Sequence, residues 1–294
     1  MKIESQEISL PLLKEKEIRL FVKRLDKIHP FISGNKWFKL KYNLIEAKKL
    51  GYETLLTFGG AYSNHIAATS FAAQEKGLKS IGIIRGEECL PLNPTLAFAR
   101  ENNMELYYVS RKDYRFKTRL RFLDKLKAQF GDFYLVPEGG TNELAIKGIV
   151  EILDETDTQD YICCAVGTGG TIAGIINATN SMQQVIGFPA IQGFNVLKKD
   201  VKNWTNKQNY KFINNYVSGG YAKLNKELVE FINQFNEVHN IPLDAIYTGK
   251  MMLGIMDLIK QDYFPKGSSI LAIHTGGLQG NKGMSEQLAI KLPS

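Results

Sequence analysis

The sequence predicts an α/β fold in which mainly parallel strands are covered by helices on both faces. Short β-branched or aromatic runs alternate with amphipathic stretches along most of the 294 residues, which is typical of βαβ units. Several of these runs are apolar throughout, as expected for strands that are buried on both faces. The chain length corresponds to about two domains, at roughly 150 residues each.

Each predicted strand is a short apolar run between turn residues. The predicted strands are Thr54–Phe58, Ser80–Ile84, Glu105–Val109, Phe133–Val136, Tyr161–Val166, Val185–Phe188 and Ser269–His274. Apolar residues at helical spacing predict helices between them, among them Trp37–Leu50, Asn64–Lys76 and Asn142–Leu153. No repeat, low-complexity tract or linker interrupts this alternation, so composition alone places no domain boundary.

The formal net charge of +7 raises the question of nucleic-acid binding. One segment, 111–127, concentrates eight basic residues. Phe116, Leu120, Leu123 and Leu126 recur within it at helical spacing, so we interpret the charges as the solvated face of one amphipathic helix. We therefore expect no nucleic-acid partner, and the positive charge can instead attract anionic small molecules.

Other classes of protein are excluded by what the chain lacks. No apolar run approaches the roughly 18 residues of a membrane span, and the N-terminus has no signal-peptide core. The three cysteines, Cys89, Cys163 and Cys164, have no metal-ligand spacing, and we interpret them as buried thiols in a reducing cytoplasm. The scattered residues His29, His239 and His274 predict no metal site and are read as structural.

Glycine-rich turns follow four of the predicted strands, and in open α/β sheets ligands bind at the carboxyl ends of strands. One such turn means little, but four indicate loops that converge on one ligand. The four turns are Phe58–His65, Glu138–Asn142, Val166–Thr171 and His274–Gly277.

The segment Gly167–Gly174 follows a buried strand and opens a helix. Free N–H groups and the helix dipole at such a start bind phosphate, and Thr168 and Thr171 add hydroxyl donors. A tight turn without a ligand is the structural alternative, and a dinucleotide site is the functional one. Against a dinucleotide site, the glycine spacing is not G-x-G-x-x-G and residues 161–199 contain no Asp or Glu for the ribose. A single phosphate fits better.

The segment Ser33–Lys39 places Lys36 at or near a predicted helix start. The helix dipole and partial burial both lower the pKa of an ammonium there, and a lysine of low pKa is the nucleophile that forms an imine with an aldehyde cofactor. Lys39 lies one turn further on the same face. Taken alone, the segment is weak evidence for such a role, because lysine is abundant and most lysines are simply solvated.

The segment Ser63-Asn64-His65 lies at another predicted helix start. Its N–H groups can receive a substrate carboxylate, Asn64 can donate to a phenolate oxygen, and Ser63 can relay a proton. The structural alternative is an N-cap in which these side chains only satisfy main-chain donors. The two roles are compatible.

These motifs resemble the fold-type II (tryptophan-synthase β-like) pyridoxal-phosphate enzymes, and within them the 1-aminocyclopropane-1-carboxylate deaminase/D-cysteine desulfhydrase family. The resemblance runs from about Phe21 to Gly277, and its most specific pieces are Gly34–Leu40, Gly59–Asn64, Thr168–Thr171, Tyr247–Lys250 and His274–Gly277. It implies two open, mainly parallel sheets: a smaller domain of residues 44–153, inserted into a larger cofactor-binding domain of residues 1–43 and 154–294.

The resemblance also implies roles for particular residues. Lys36 would carry pyridoxal 5'-phosphate and shuttle the Cα proton, and Asn64 would contact the phenolic oxygen of the cofactor. Thr248 falls where the family places the partner of the pyridine nitrogen. The phosphate would be held by Thr168, Gly169, Gly170 and Thr171, the substrate carboxylate by Ser63, Asn64 and His65, and the active-site tyrosines would be Tyr221 and Tyr247.

The predicted activity is β-elimination from a small amino acid, of the D-cysteine desulfhydrase type, by an expected homodimer. In this family Thr at position 248 is associated with desulfhydration and Glu with cyclopropane deamination. The chain departs from the family pattern at Lys23–Asp26 and after Gly277, where it reads Leu278–Gly283. Deamination of the cyclopropane amino acid, racemisation, and a non-catalytic role in binding the cofactor or an amino acid stay open as alternatives.

Overall fold

The computed structural model describes residues 2–190, 194–216 and 223–293, which form two sheets. The first has the strand order β1-β2-β10-β7-β8-β9, and its strands are β1 (Ser5–Ile8), β2 (Arg19–Arg24), β7 (Tyr161–Val166), β8 (Gln184–Pro189), β9 (Tyr210–Phe212) and β10 (Ser269–His274). The second has the order β5-β4-β3-β6, and its strands are β3 (Thr54–Gly60), β4 (Lys79–Arg85), β5 (Met104–Val109) and β6 (Tyr134–Val136).

Helices follow most of the strands, as the predicted βαβ alternation requires. They are α1 (Pro11–Glu15), α2 (Asn35–Lys49), α3 (Asn64–Glu75), α4 (Pro94–Glu101), α5 (Arg111–Tyr114), α6 (Leu120–Phe130), α7 (Glu143–Ile149), α8 (Gly170–Ala178), α9 (Phe194–Lys202), α10 (Lys226–His239), α11 (Thr248–Lys260) and α12 (Gln279–Leu288). Short 3-10 turns occupy Leu25–Lys27, Glu138–Gly140 and Val150–Ile152.

The pairing of the strands brings the glycine turns to common edges. Only β1 pairs antiparallel among the described strands, and the other pairs are parallel. In the larger sheet Cys163 is aligned with Ala272 on one side and with Ile186 on the other. The carboxyl ends of β7 and β10 therefore lie at the same edge of this sheet.

Helix α2 packs into the cores beneath both sheets. Phe38 belongs to the core of the larger sheet together with Ile162, whereas Leu40 and Leu44 belong to a core of the smaller sheet together with Leu55. The strands between residues 54 and 136 all lie in the smaller sheet. The predicted start of the smaller domain at residue 44 falls inside α2, and the domain boundaries stay predictions.

All seven predicted strands are present, with ends within two residues of those predicted. Strands β1, β2 and β9 were not predicted. Strand β2 carries charges that usually oppose a buried strand, but the structure pairs them: Lys23 with Asp157, and Arg24 with Asp26 at 2.7 Å. The partner of Lys23 lies 134 positions away, which a strand pattern does not reveal.

Two predictions were wrong: the single helix over residues 111–127 and the burial of Cys89. Residues 111–127 do not form one helix, because α5 ends at Tyr114 and α6 begins only at Leu120. Phe116 and Leu120 are 48% and 78% exposed rather than facing the core. Cys89 is exposed, while Cys163 and Cys164 are buried as predicted.

Gly148 allows α7 to approach α2 closely. A Cβ at this position would lie 2.1 Å from the main-chain oxygen of Phe38, two residues after Lys36. We expect Gly148→Ala to lower the free energy of unfolding by about 1–3 kcal/mol, because backbone atoms must move to admit the methyl group. Urea unfolding measures this. Gly60→Ala is the control, since a Cβ there meets nothing within 4 Å, and equal stability losses in the two variants would contradict the packing argument.

Candidate functional site

The four glycine turns meet in the structure, as the sequence predicts. In three of the turns a Cβ added to a glycine would lie within 3 Å of a residue in another turn or in the Ser33–Lys39 segment, and the fourth turn, Phe58–His65, supplies the contacted residue Asn64. The pairs of residues are Gly139 with Thr168, Gly170 with Thr141, Gly276 with Gly34, and Gly277 with Asn64. Side chains larger than hydrogen at these glycines would therefore hold the loops apart.

The loop between β7 and α8 forms an uncapped helix start. Gly169 has φ +83° and immediately precedes α8. No side chain of the described residues caps this helix, and its first turn contains no acidic residue. The first N–H groups of a helix have no partner within the helix, so the start of α8 offers buried donors to an anion.

Hydroxyl groups and one amine surround this helix start. Thr168 Oγ1 lies 2.7 Å from Thr141 Oγ1, and Lys39 Nζ donates to the same Thr141 oxygen at 3.1 Å. Thr171 Oγ1 accepts a hydrogen bond from Asn35 Nδ2 at 2.8 Å. The first turns of α2 and α8 are thus tied together by side chains.

Lys36 lies in the first turn of α2, which a main-chain contact positions. Gly34 precedes the helix with φ +67°, and a Cβ there would lie 1.9 Å from the carbonyl oxygen of Thr275. That oxygen accepts a hydrogen bond from the Asn35 N–H at 3.2 Å. Lys36 is partly buried, and burial lowers the pKa of its ammonium from 10.5 to about 8.

Lys39 is the second buried amine of the site, and its side chain is 1% exposed. Burial and the repulsion from Lys36 hold the pKa of Lys39 well below its usual value. Its Nζ donates to the carbonyl oxygen of Gly139 at 2.9 Å. The sequence places Lys39 on the same helix face as Lys36 but predicts no role for it, because its contacts are with residues about a hundred positions away.

At the start of α3 the three predicted residues point in different directions. Ser63 caps the helix by accepting a hydrogen bond from the Ile66 N–H at 3.3 Å. Asn64 is partly exposed and its amide lies against Gly277. His65 is 2% exposed and its ring points away from the helix start, toward Thr57.

The ring of His65 is held by hydroxyl groups. Thr57 Oγ1 donates to the carbonyl oxygen of Val136 at 2.8 Å, so it must accept the hydrogen bond that joins it to His65 Nε2 at 2.8 Å. Burial and the nearby ammonium groups of Lys36 and Lys39 hold the pKa of this imidazole well below its usual value. His65 therefore contributes to the start of α3 through its main-chain N–H and not through its ring.

A carboxylate that the sequence analysis did not single out organises the start of α11. Asp244 is 2% exposed and accepts main-chain hydrogen bonds from Ile246, Tyr247 and Thr248 at 2.7–2.9 Å. Thr248 Oγ1 donates to Asp244 Oδ2 at 2.8 Å and accepts from the Asp244 N–H at the same distance. An Asp shortly before a run of apolar residues at helical spacing is the signal that could have found it.

Tyr247 and Tyr221 are the tyrosines that the sequence analysis predicts in the active site. The ring of Tyr247 lies near Gly167, 3.2 Å from the position of a Cβ there, so it borders the loop before α8. Tyr221 lies outside the described residues.

His274, read as structural, holds the turn beside Gly34. Its Nε2 lies 2.6 Å from the carbonyl oxygen of Pro242, and its Nδ1 accepts from the Gly276 N–H at 3.2 Å. Nδ1 also lies 3.5 Å from Asp26.

These residues fit pyridoxal 5'-phosphate. The cofactor needs an amine that reacts with an aldehyde, an anion site for its phosphate, and polar contacts to its ring. Lys36 supplies an amine of lowered pKa, and the α8 start supplies an anion site whose glycines leave no room for a Cβ. Among the described residues no cluster of His, Cys, Asp or Glu is arranged to hold a metal ion, and no helix is both long and apolar enough to cross a membrane.

Comparisons with known proteins agree on this cofactor. A family model described as pyridoxal-phosphate dependent enzyme matches residues 3–276. A putative 1-aminocyclopropane-1-carboxylate deaminase of Pyrococcus abyssi is 32% identical, over 91% of this chain and 87% of that protein. A bifunctional D-cysteine desulfhydrase/1-aminocyclopropane-1-carboxylate deaminase of Arabidopsis thaliana is 30% identical, over 92% of this chain and 75% of that protein.

The architecture also matches a solved structure. The crystal structure of a protein described as an ACC deaminase homologue has a TM-score of 0.85 and 27% sequence identity, over 98% of this chain and 93% of that one. This likeness extends over both sheets.

The lowered pKa of Lys36 predicts a pH dependence of stability in the cofactor-free protein. Between pH 8 and 10.5 the unfolded chain binds the Lys36 proton and the folded chain does not, so the free energy of unfolding rises with pH. Lys36→Met removes this contribution. We therefore expect the variant to be more stable than the unaltered protein by about 1–3 kcal/mol at pH 7, with the difference vanishing near pH 10.5.

Urea unfolding between pH 7 and 10 measures this difference. Lys41→Met is the matched control on the same helix, because Glu151 raises the pKa of Lys41 and no gain at pH 7 is expected. A Lys36→Met gain that is independent of pH would contradict the assignment.

Proposed function

The chain belongs to the pyridoxal-phosphate-dependent enzyme family, and from that premise we propose that it catalyses β-elimination from D-cysteine. The reaction takes D-cysteine and water to pyruvate, hydrogen sulfide and ammonia. The observation that carries the proposal is the amine of Lys36, which is partly buried and has a lowered pKa. Its neighbour Asn35 contacts Thr171 at the start of α8, and Lys39, one turn further on, contacts Thr141. When bound, pyridoxal phosphate withdraws electrons from the substrate Cα and makes its hydrogen acidic.

We propose that Lys36 holds the cofactor and moves the Cα proton. A pKa of about 8 leaves roughly a tenth of such amines neutral at pH 7, and a neutral amine is both nucleophile and base. The loop Thr168–Thr171 and the start of α8 would hold the phosphate. Lys39, held against Thr141 beside this loop, adds an amine donor close to the anion.

The start of α3 would bind the substrate carboxylate. The main-chain N–H groups of Asn64 and His65 lie in its first turn, where helix donors favour an anion. Ser63 accepts its hydrogen bond from Ile66, which leaves the hydroxyl proton to be donated outward. Asn64 would donate to the phenolic oxygen of the cofactor. Tyr247, and Tyr221 from outside the described residues, are proposed as the tyrosines of the pocket.

The environment of Thr248 supports sulfide as the leaving group. Its hydroxyl proton goes to Asp244, so toward a ring nitrogen Thr248 presents a neutral acceptor. The carboxylate of Asp244 already accepts hydrogen bonds from three main-chain N–H groups and from this hydroxyl. A neutral acceptor stabilises a protonated ring less than a carboxylate does, and a weaker electron sink suffices to expel hydrosulfide but less readily opens a cyclopropane ring.

Deamination of the cyclopropane amino acid is the second candidate. It is favoured by the names of the Pyrococcus abyssi and Arabidopsis thaliana relatives. Racemisation of an amino acid and non-catalytic binding of the cofactor or an amino acid are the remaining alternatives. The homodimer and the cytoplasmic location stay predictions.

The first test asks whether Lys36 carries the cofactor and whether sulfide is released. With pyridoxal phosphate the protein should show a visible absorption band, and D-cysteine should yield sulfide and pyruvate faster than L-cysteine does. Lys36→Ala should lose the band and at least a factor of about 100 in rate, since it removes the proposed base.

The control is Lys41→Ala, which alters an exposed lysine on the same helix and should keep both. A colourless protein that takes up no cofactor, or a band that survives in Lys36→Ala, would refute the proposed role of Lys36.

The second test compares leaving groups at position 248. The unaltered protein should release sulfide from D-cysteine faster than ammonia from 1-aminocyclopropane-1-carboxylate. Thr248→Glu should narrow this ratio because a carboxylate favours a protonated ring nitrogen. Parallel sulfide and ammonia assays measure both rates.

Thr248→Gln provides a side chain of equal size without charge and should not narrow the ratio. Ring opening by the unaltered protein as fast as sulfide release would contradict the argument from Thr248.

A further inference from the structure

A glutamine at the start of α12 contacts Asn64. Gln279 is the first residue of α12, is exposed, and donates a hydrogen bond from Nε2 to Asn64 Oδ1. It lies in the segment after Gly277 that departs from the family pattern.

The surroundings of Asn64 distinguish the two ends of its amide. A Cβ on Gly280 would lie 3.4 Å from Oδ1, so the oxygen end faces α12. A Cβ on Gly277 would lie 2.3 Å from Nδ2, so the nitrogen end faces the turn after β10. In the same turn, Gly276 lies against Gly34, which precedes α2. The donor end of the amide is thus on the side of the helix that carries Lys36.

An Asn amide can present either a donor or an acceptor, depending on which way it is turned. A phenolic oxygen that carries negative charge requires the donor. Because Gln279 Nε2 is itself a donor, it is satisfied only by the oxygen of Asn64, and its hydrogen bond opposes rotation of the amide.

We infer that Gln279 is a positioning residue that fixes Asn64 with its donor end toward the phenolic oxygen of the cofactor. The inference rests on the proposed function, in which Asn64 contacts that oxygen. Helix α12 has other contacts that hold it in place, since a Cβ on Gly283 would lie 2.8 Å from the ring of Tyr62 and 3.7 Å from Pro94. Changes at Gln279 should therefore leave the fold intact.

The pH titration of the visible band of the cofactor-loaded protein tests this inference. A hydrogen-bond donor to the phenolic oxygen would stabilise the negative charge left there when the proton shared with the Lys36 nitrogen is lost, so it would lower the pH of the transition. Gln279→Ala should raise it by about half a unit to one unit, the size of one hydrogen bond. Gln279→Glu should raise it further, because a carboxylate attracts the donor end of Asn64 away from the cofactor.

A double-mutant cycle separates positioning from a general structural effect. If Gln279 acts through Asn64, Gln279→Ala should not move the transition in an Asn64→Ala background. Gln261→Ala is the matched control, because Gln261 also donates a side-chain hydrogen bond, to Asp257 at 2.7 Å, but at the C-terminal end of α11, opposite the end that carries Thr248. It should not move the transition.

Two outcomes would overturn the inference: an unchanged transition in Gln279→Ala, or equal shifts in the two backgrounds. Both leave the proposed function standing, since the visible band and its dependence on Lys36 remain. Absence of a band that depends on Lys36 in the unaltered protein would instead refute the proposed function, and the inference with it.

Discussion

The site depends on a main-chain contact between the start of α2 and the turn after β10. Gly34 lies so close to Thr275 that a Cβ would be 1.9 Å from its carbonyl oxygen, and the same oxygen accepts the Asn35 N–H. No side chain larger than hydrogen fits between these two segments. The contact fixes the first turn of α2 at the carboxyl edge of the larger sheet, where α8 also begins.

This placement creates an electrostatic imbalance that an anion relieves. Lys36 and Lys39 lie close together on α2. Burial lowers the pKa of both, and repulsion from Lys36 lowers the pKa of Lys39 further. The start of α8 adds the positive end of a helix dipole without a side-chain cap. In the proposed function the cofactor phosphate would supply the missing negative charge, so cofactor binding should stabilise the folded chain by mass action.

Residues around both sheets contribute to the proposed site. Asn64 follows a strand of the smaller sheet, whereas Thr248, Asp244 and Gln279 belong to helices or loops around the larger one. Helix α2 contributes to the cores of both, so the relative position of the two groups of residues is set by packing as well as by hydrogen bonds. The His274 ring reinforces the arrangement by accepting from the Gly276 N–H.

The sequence by itself determined the α/β alternation, seven of the strands, the convergence of the glycine turns and the placement of Lys36 at a helix start. These are local properties, since apolar periodicity and glycine at strand ends report on the nearby backbone. The tertiary structure alone decided the buried pairing that makes β2 a strand, the inward direction of His65, and the contacts of Lys39, Asp244 and Gln279. Each of these depends on partners brought together by folding, and no local pattern encodes which distant donor meets which acceptor.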